Sequence, residues 1–239
     1  MSATRFVVVC FGRTGSSWLC SLLRSHPAIL CHGELFNLKQ IGFSPNPFKD
    51  STIHTPWTMA ARDGDPARFL AAVLSEDLGH QAVGFKMLNW THPEVLFELA
   101  RSPDVRKVIL SRRNRVRAFL SRTRARALET WQVESYNGYR IHLDPTELAR
   151  YVKRYERFYG ELRGAARGTP VHEVVYEDLL EDDQLAQGIV EFLGVTPSDM
   201  PLRSRLPRQS QDLIRDVVTN FDELSTLLRG TPLDAELNA

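Results

Sequence analysis

The stretch FVVVCFGRTGSSWLCSLL, residues 6–23, constrains the chain most. Residues 6–11 are all apolar and rich in Val, the pattern of a strand covered on both faces. Gly12 and Gly15 let the backbone turn tightly. Ser16, Ser17, Trp18 and Leu19 then open a helix with apolar residues at 18, 19, 22 and 23. The first N–H groups of a helix lack backbone partners and carry the positive end of its dipole, so the turn suits an anion. Arg13 and the two Ser hydroxyls add charge and donors. A Walker A loop would need a Gly-Lys pair before the Ser or Thr, and this stretch has none. A plain strand-to-helix connection is the alternative for this segment taken alone.

At 239 residues the chain is read as one domain, 1–239, long enough to bury a sizeable core. The net charge of +1 gives no overall field toward nucleic acid or membrane. Of 30 Lys plus Arg, only Lys39, Lys49, Lys86, Lys107 and Lys153 are Lys, so Arg dominates the positive charge. Cys10, Cys20 and Cys31 are odd in number and lack metal-ligand spacing. They read as reduced core thiols of a cytoplasmic protein, with no metal site expected. The apolar run at 6–11 is too short for a signal peptide or a membrane span.

Along the chain, strand and helix patterns alternate. Strands are expected at 28–36, 82–88, 106–112 and 171–176, after the first at 6–11. Helices are expected from Asp65 and Pro66 to 78 and from a Thr91-His92-Pro93-Glu94 capping box to 101, with His92 in the first turn. Further helices are expected at 114–128, from Asp144 and Pro145 onward, from 183 to Gly194, and at 212–228 before Gly230. The helix after Pro145 carries Leu148, Val152, Tyr155, Tyr159 and Leu162 on one face. Residues 37–57 hold three Pro and read as a long loop. The alternation predicts an α/β fold, a central parallel sheet of about five strands with helices on both faces. Ligands in such folds sit at the C-terminal ends of the strands.

Residues 111–126, SRRNRVRAFLSRTRAR, follow the fourth strand and hold seven Arg and no acid. A solvated face or a nucleic-acid patch is the bland reading. Helical phasing separates an apolar face, Val116, Phe119, Leu120 and Thr123, from a polar stripe, Asn114, Arg117, Ser121 and Arg124. A strand-end Arg with a Ser on the following helix suits a second phosphate.

Together these motifs resemble the sulfotransferases, which use 3′-phosphoadenosine 5′-phosphosulfate (PAPS) as donor. Arg-Thr-Gly-Ser-Ser-Trp, 13–18, resembles their 5′-phosphosulfate loop. Arg112 or Arg113 with Ser121, nine or eight residues on, resembles their 3′-phosphate motif. Arg112 fits better the Arg-x-Asn…Ser form of bacterial carbohydrate sulfotransferases. Residues 175–179, VYEDL, resemble the element whose Tyr, here Tyr176, lies near the adenine. Residues 206–224 resemble the segment that closes over the nucleotide, which brings in Arg208. The resemblance spans residues 6 to about 231 and implies a P-loop-kinase-like sulfotransferase fold, with PAPS converted to 3′-phosphoadenosine 5′-phosphate (PAP) and no metal.

By the same resemblance, Arg13, Thr14, Gly15, Ser16, Ser17 and Trp18 hold the 5′ end, with Arg13 nearest the bridging oxygen. The cytosolic aryl and steroid enzymes place a catalytic His two residues after a Lys on the third strand. Here Lys86 is kept and Leu88 stands in place of the His. The trehalose-type enzymes use a Glu in a Gly-Glu turn after the second strand, which Gly33-Glu34 matches, so Glu34 is the expected general base. His32 lies two residues earlier, on the same side if the segment is extended, and is an alternative base or a partner of Glu34. Lys86 is placed to approach the transferring group. Residues 37–64 and 129–143 are the expected acceptor-side loops, and a sugar, glycolipid or other small hydroxylated molecule is the expected acceptor. A P-loop-type small-molecule kinase and a non-enzymatic nucleotide-fold scaffold share the topology and stand as alternatives.

Overall fold

A computed structural model describes residues 2–43, 57–130, 138–198, 201–206 and 212–238. Five strands form one sheet: β1 (Thr4–Cys10), β2 (Ile29–Glu34), β3 (Ala82–Leu88), β4 (Arg106–Ser111) and β5 (Val171–Val175). Their order is β2-β3-β1-β4-β5, and every pairing is parallel. The apolar runs predicted this, because a parallel sheet is covered on both faces. β1 is central, and the chain leaves it first toward β3 and β2, then returns to its other side for β4 and β5. The crevice beside the C-terminal end of β1 is therefore the switch point where such sheets bind ligands.

Alternate residues of β1 feed two cores. Phe6, Val8 and Cys10 pack with Leu19, Leu22 and Leu23 of α1 (Ser16–Leu23) and with Ile189 and Val190 further along. Val7, Val9 and Phe11 pack on the other face with Phe69, Leu96, Phe119 and the apolar face of the long helix that follows Asp144. Each such fully buried side chain contributes ~1.5–3 kcal/mol, which makes β1 the strand the fold can least afford to lose.

The helices on the described residues are, after α1, α2 (Met59–Gly64), α3 (Pro66–Ser75), α4 (Pro93–Arg101), α5 (Arg115–Ala127), α6 (Pro145–Ala165), α7 (Tyr176–Glu181), α8 (Asp183–Phe192), α9 (Ile214–Val217), α10 (Phe221–Leu228) and α11 (Pro232–Asn238). Several boundaries differ from the sequence expectation, each for a local reason. His92, not Thr91, caps α4: its Nδ1 accepts from Val95 N at 3.5 Å, while Thr91 Oγ1 donates to Leu88 O. Pro93 fixes the first helical position and so sets the cap one residue before it. The expected helix over 212–228 is broken into α9 and α10. Ile141 exchanges hydrogen bonds with Val217 and Thr219 there, and a continuous helix would not leave those groups to Ile141. β5 stops at Val175 because Tyr176 already starts α7, whose first turn carries Glu177 and Asp178 at the favourable end of the helix dipole. α2 and α11 were not anticipated; Pro232 and Asp234 are the initiation signal for the latter.

Gly84 marks how closely β1 and β3 approach. A Cβ there would lie 2.3 Å from Phe6 O and 2.5 Å from the Phe6 ring. Gly84→Ala is therefore expected to destabilise the protein by about 1–3 kcal/mol, read as a lower urea midpoint. An unchanged midpoint would mean that the β1–β3 contact is looser than described.

Candidate active site

The turn after β1 holds an unusual backbone. Arg13 has φ 68° and Gly15 has φ 91°, so two of three consecutive residues are left-handed. Glycine adopts this freely, but for Arg13 it costs on the order of 1 kcal/mol or more. Thr14, fully buried, donates from Oγ1 to Phe11 O at 2.8 Å and closes the turn. Gly15 has a second constraint, since a Cβ would fall 2.2 Å from the Tyr176 ring. Gly15 is also the N-cap of α1 and offers no side-chain cap, so the helix presents its first N–H groups without a side-chain acceptor from the cap. Ser16 is buried beneath the turn and Ser17 is exposed on it.

The arginine-rich segment meets this turn directly. Ser121 on α5 accepts a hydrogen bond from Arg13 Nε at 2.9 Å. Arg112, just past β4, donates from Nη1 to Arg13 O at 3.1 Å, and its guanidinium lies 5.2 Å from the Tyr176 ring centre. Trp18 meets the same tyrosine edge-on at 6.0 Å. Thus the two expected phosphate motifs and Tyr176 form one cluster. The Arg112 backbone is fixed by Tyr155: its N–H donates to the phenol at 2.7 Å, and the phenol donates to its carbonyl at 2.8 Å. Burial pushes the Tyr155 phenol up to about 12, so it keeps the proton it donates. The buried Arg112 Nε has no hydrogen-bond acceptor among the described residues; the Glu177 carboxylate lies 3.6 Å away.

Arg113 points elsewhere. It pairs with Asp178, and its side chain is 60% exposed. Other arginines of the segment serve internal contacts. Arg115 pairs with Glu156 and Glu236, Arg117 donates to Asp212 O, and the buried Arg124 meets the Asp212 carboxylate. The polar stripe therefore docks neighbouring segments as well as presenting Ser121. These commitments weigh against a free nucleic-acid patch.

Across β1 from Arg112 lie Lys86 and Glu34. Lys86 Nζ is 2.9 Å from Glu34 Oε1 and 3.0 Å from Ser17 Oγ. The Lys86 side chain is only 8% exposed. Burial alone would lower its pKa, but the Glu34 carboxylate, with the Cys20 and Cys10 thiols, more than offsets this and holds it above the usual lysine value. The lysine therefore stays cationic.

A β-bulge places Glu34 there. Cys31 pairs with Gly84 and Glu34 with Lys86, so β2 spends three residues where β3 spends two. The extra residue breaks strict alternation. Glu34 faces Lys86 and Ser17, whereas His32 is fully buried on the opposite side, its ring edge-on to Phe43 at 5.6 Å. The expectation that His32 and Glu34 project together is thus corrected.

Of the other expected contributors, Arg208 lies outside the described residues, as do residues 44–56 and 131–137 of the acceptor-side loops. Trp57 packs on Phe69, while Trp90 is 43% exposed and covers Gly12. A cavity of about 390 Å³, between α5 and α6, includes Arg122, Arg126 and Arg154 and shares no residue with the cluster. Another of about 350 Å³ has Arg112 in its wall. Sequence reasoning missed Asn37, Glu177 and Tyr155. Asn37 sits three residues after Glu34, a turn spacing that could have drawn notice; Tyr155 looked like one more apolar-face residue.

Known proteins are similar to this chain over nearly its whole length. The sulfotransferase family profile matches residues 5–199. Nodulation protein H of Rhizobium tropici is 28% identical over 238 residues, covering 95% of this chain and 90% of that protein. Nodulation protein H of Rhizobium meliloti (strain 1021) is 25% identical over 227 residues, covering 92% and 89%. Among solved structures, a sulfotransferase from Alicyclobacillus acidocaldarius shares the fold with a TM-score of 0.53 at 21% identity, over 99% of this chain and 95% of that one. The sulfotransferase domain of the curacin biosynthetic pathway gives 0.58 at 14% identity, over 99% and 90%. With four-fifths of its length matched by the family profile and this cluster at the end of its central strand, the chain belongs to the sulfotransferase family and transfers a sulfuryl group.

Proposed function

We propose that the protein moves the sulfuryl group of PAPS to a hydroxyl of a small acceptor, a carbohydrate or sugar-bearing molecule, with Glu34 as general base. The observation that carries the reading is the meeting of Arg13 with both Ser121 and Arg112 beside the Glu34–Lys86 pair. The residues fit a donor with two separated phosphates. The side-chain-uncapped start of α1 and the close approach at Gly15 suit the 5′ end, and the buried Arg112 Nε lacks an acceptor that a 3′-phosphate would supply.

In this reading Arg13, Gly15, Ser16 and Ser17 hold the 5′-phosphosulfate over the buried Thr14, which closes the turn instead of meeting the donor, and Arg112 and Ser121 hold the 3′-phosphate. Tyr176, between Arg112, Trp18 and Gly15, borders the adenine. Glu34 takes the acceptor's proton as the acceptor oxygen bonds to sulfur and the sulfur–phosphate oxygen bond breaks. The departing PAP then carries the negative charge, which Arg13 and the α1 N–H groups stabilise. Lys86 has three N–H donors, two of which meet Glu34 and Ser17, so the third serves a sulfuryl oxygen. Trp90, exposed beside Gly12, and the described parts of the 37–64 and 129–143 segments would border the acceptor.

Two experiments test this. PAPS turnover is measured with a panel of free sugars, alkyl glycosides and a phenol. Glu34→Gln is expected to keep PAP affinity while turnover falls roughly a hundredfold or more; unchanged turnover would move the base elsewhere. In calorimetry with PAP, Arg112→Ala is expected to cost about tenfold or more in affinity, as loss of a charged hydrogen bond does. Arg113→Ala, which removes an exposed side chain paired with Asp178, should stay within about twofold. The reverse order would assign the 3′-phosphate to Arg113.

A further inference from the structure

The Glu34 carboxylate is gripped at both oxygens. Lys86 holds Oε1, and Asn37 Nδ2 donates to Oε2 at 2.9 Å. The Asn37 amide has one sensible orientation, because its Oδ1 accepts from Lys39 N at 2.9 Å, which leaves the NH₂ facing Glu34. The turn that carries both residues is closed by its backbone. Asn37 N donates to Glu34 O at 3.2 Å, and Gly42 N donates to the same carbonyl at 3.0 Å.

Behind this turn sits a buried arginine. Arg62, on α2, is 2% exposed. Its Nη1 donates to Leu35 O and to Asn37 O, each at 2.9 Å. Its other edge is fixed by Asp63, Nε to Oδ1 at 2.7 Å and Nη2 to Oδ2 at 3.0 Å, and its plane lies 5.6 Å from the Phe36 ring centre. A guanidinium is costly to bury unless its donors are met. Here four of its five N–H donors are met, two by Asp63 and two by the carbonyls that flank Phe36 in the Glu34–Asn37 turn, 25 positions before Arg62 in the case of Asn37.

We infer that Asn37 and Arg62 are positioning residues for the reaction: Asn37 orients the Glu34 carboxylate through Oε2, and Arg62 holds Asn37 in place. The inference rests on Glu34 being the base. Its chemical content is a division of labour between the two carboxylate oxygens. Oε1 faces a cation, which disfavours a proton there, whereas Oε2 faces a neutral amide donor and keeps a second lone pair. Oε2 is therefore the atom that receives the acceptor's proton, and Asn37 fixes where it points. Without Asn37 the carboxylate turns freely about Lys86 and leaves the attack geometry, a displacement that costs rate more than binding.

The test is a double-mutant cycle on kcat, using PAPS with the best acceptor of the panel above, and PAP calorimetry as the control for an intact donor site. Asn37→Ala is expected to lower kcat roughly tenfold or more, with smaller changes in KM and an unchanged PAP affinity. In the Glu34→Gln background the same substitution is expected to change kcat by less than about twofold, because it acts only through the carboxylate. An equal loss in both backgrounds would reduce Asn37 to a purely structural residue and overturn the inference, as would an unchanged kcat in the Asn37→Ala single variant. Full turnover by Glu34→Gln would instead remove the base assignment itself. Arg62→Met is expected to follow Asn37→Ala, and Arg62→Lys, which still donates to the two carbonyls, to recover most of the loss. Should Arg62→Met not fold, the Asn37 cycle and the Arg62→Lys variant decide the matter.

Discussion

The site depends on one hydrogen bond between distant parts of the chain, from Arg13 Nε to Ser121 Oγ. Parallel pairing of β1 with β4 makes it available. Cys10 lies opposite Leu110, so the turns that leave the two strands emerge side by side at the same end of the sheet. Arg112 then reaches back to the Arg13 carbonyl, and Tyr176, at the end of the next strand over, closes on Gly15. A register shift of one residue between β1 and β4 would turn side chains to the other face and separate these groups. The buried Val, Phe and Leu that pin the register are therefore part of the site.

On the other flank of β1 the problem is a buried cation. Lys86 is tolerated because Glu34 faces it, and the bulge in β2 is what brings Glu34 round. The arrangement links three elements: Ser17 from the first turn of α1, Lys86 from β3 and Glu34 from the end of β2. Arg62 and Asn37 extend it by clamping the turn in which Glu34 sits. A positive Arg13 after β1 and a negative Glu34 on β2 are thus held at strand ends on either side of Lys86 on β3, where the proposed reaction needs charge for a departing phosphate and for an acceptor proton. Fixed charges of this kind need no rearrangement at the moment of reaction.

Much of this was legible in the sequence. The Val-rich runs gave the parallel sheet, because local patterns encode strands, turns and helix starts directly, and the resemblance of the 13–18 and 112–121 stretches to sulfotransferase motifs pointed to the cluster. Gly33-Glu34 pointed to the carboxylate. What failed was geometry that depends on pairing. His32 and Glu34 look alike in an extended segment, and only the register against β3 reveals the bulge that parts them. The break between α9 and α10 is invisible for the same reason, since its cause is the bridge to Ile141. Arg112 and Arg113 are adjacent arginines in sequence, and only the contacts to Arg13 and Asp178 tell them apart. Tyr155 and Arg62 act through tertiary contacts that no local pattern announces.

The central claim is that the Arg13–Ser121–Arg112 cluster and the α1 N-terminus form one site for two phosphates borne on different carbons of a ribose. Calorimetry of the purified protein with PAP, beside ADP and ATP with magnesium, tests it most directly, because PAP and ADP differ mainly in where the second phosphate sits. The account predicts that PAP binds without metal at least roughly a hundredfold more tightly than ADP, since several charged hydrogen bonds depend on the 3′-phosphate. Equal affinity for PAP and ADP, or a preference for ATP with magnesium, would contradict it.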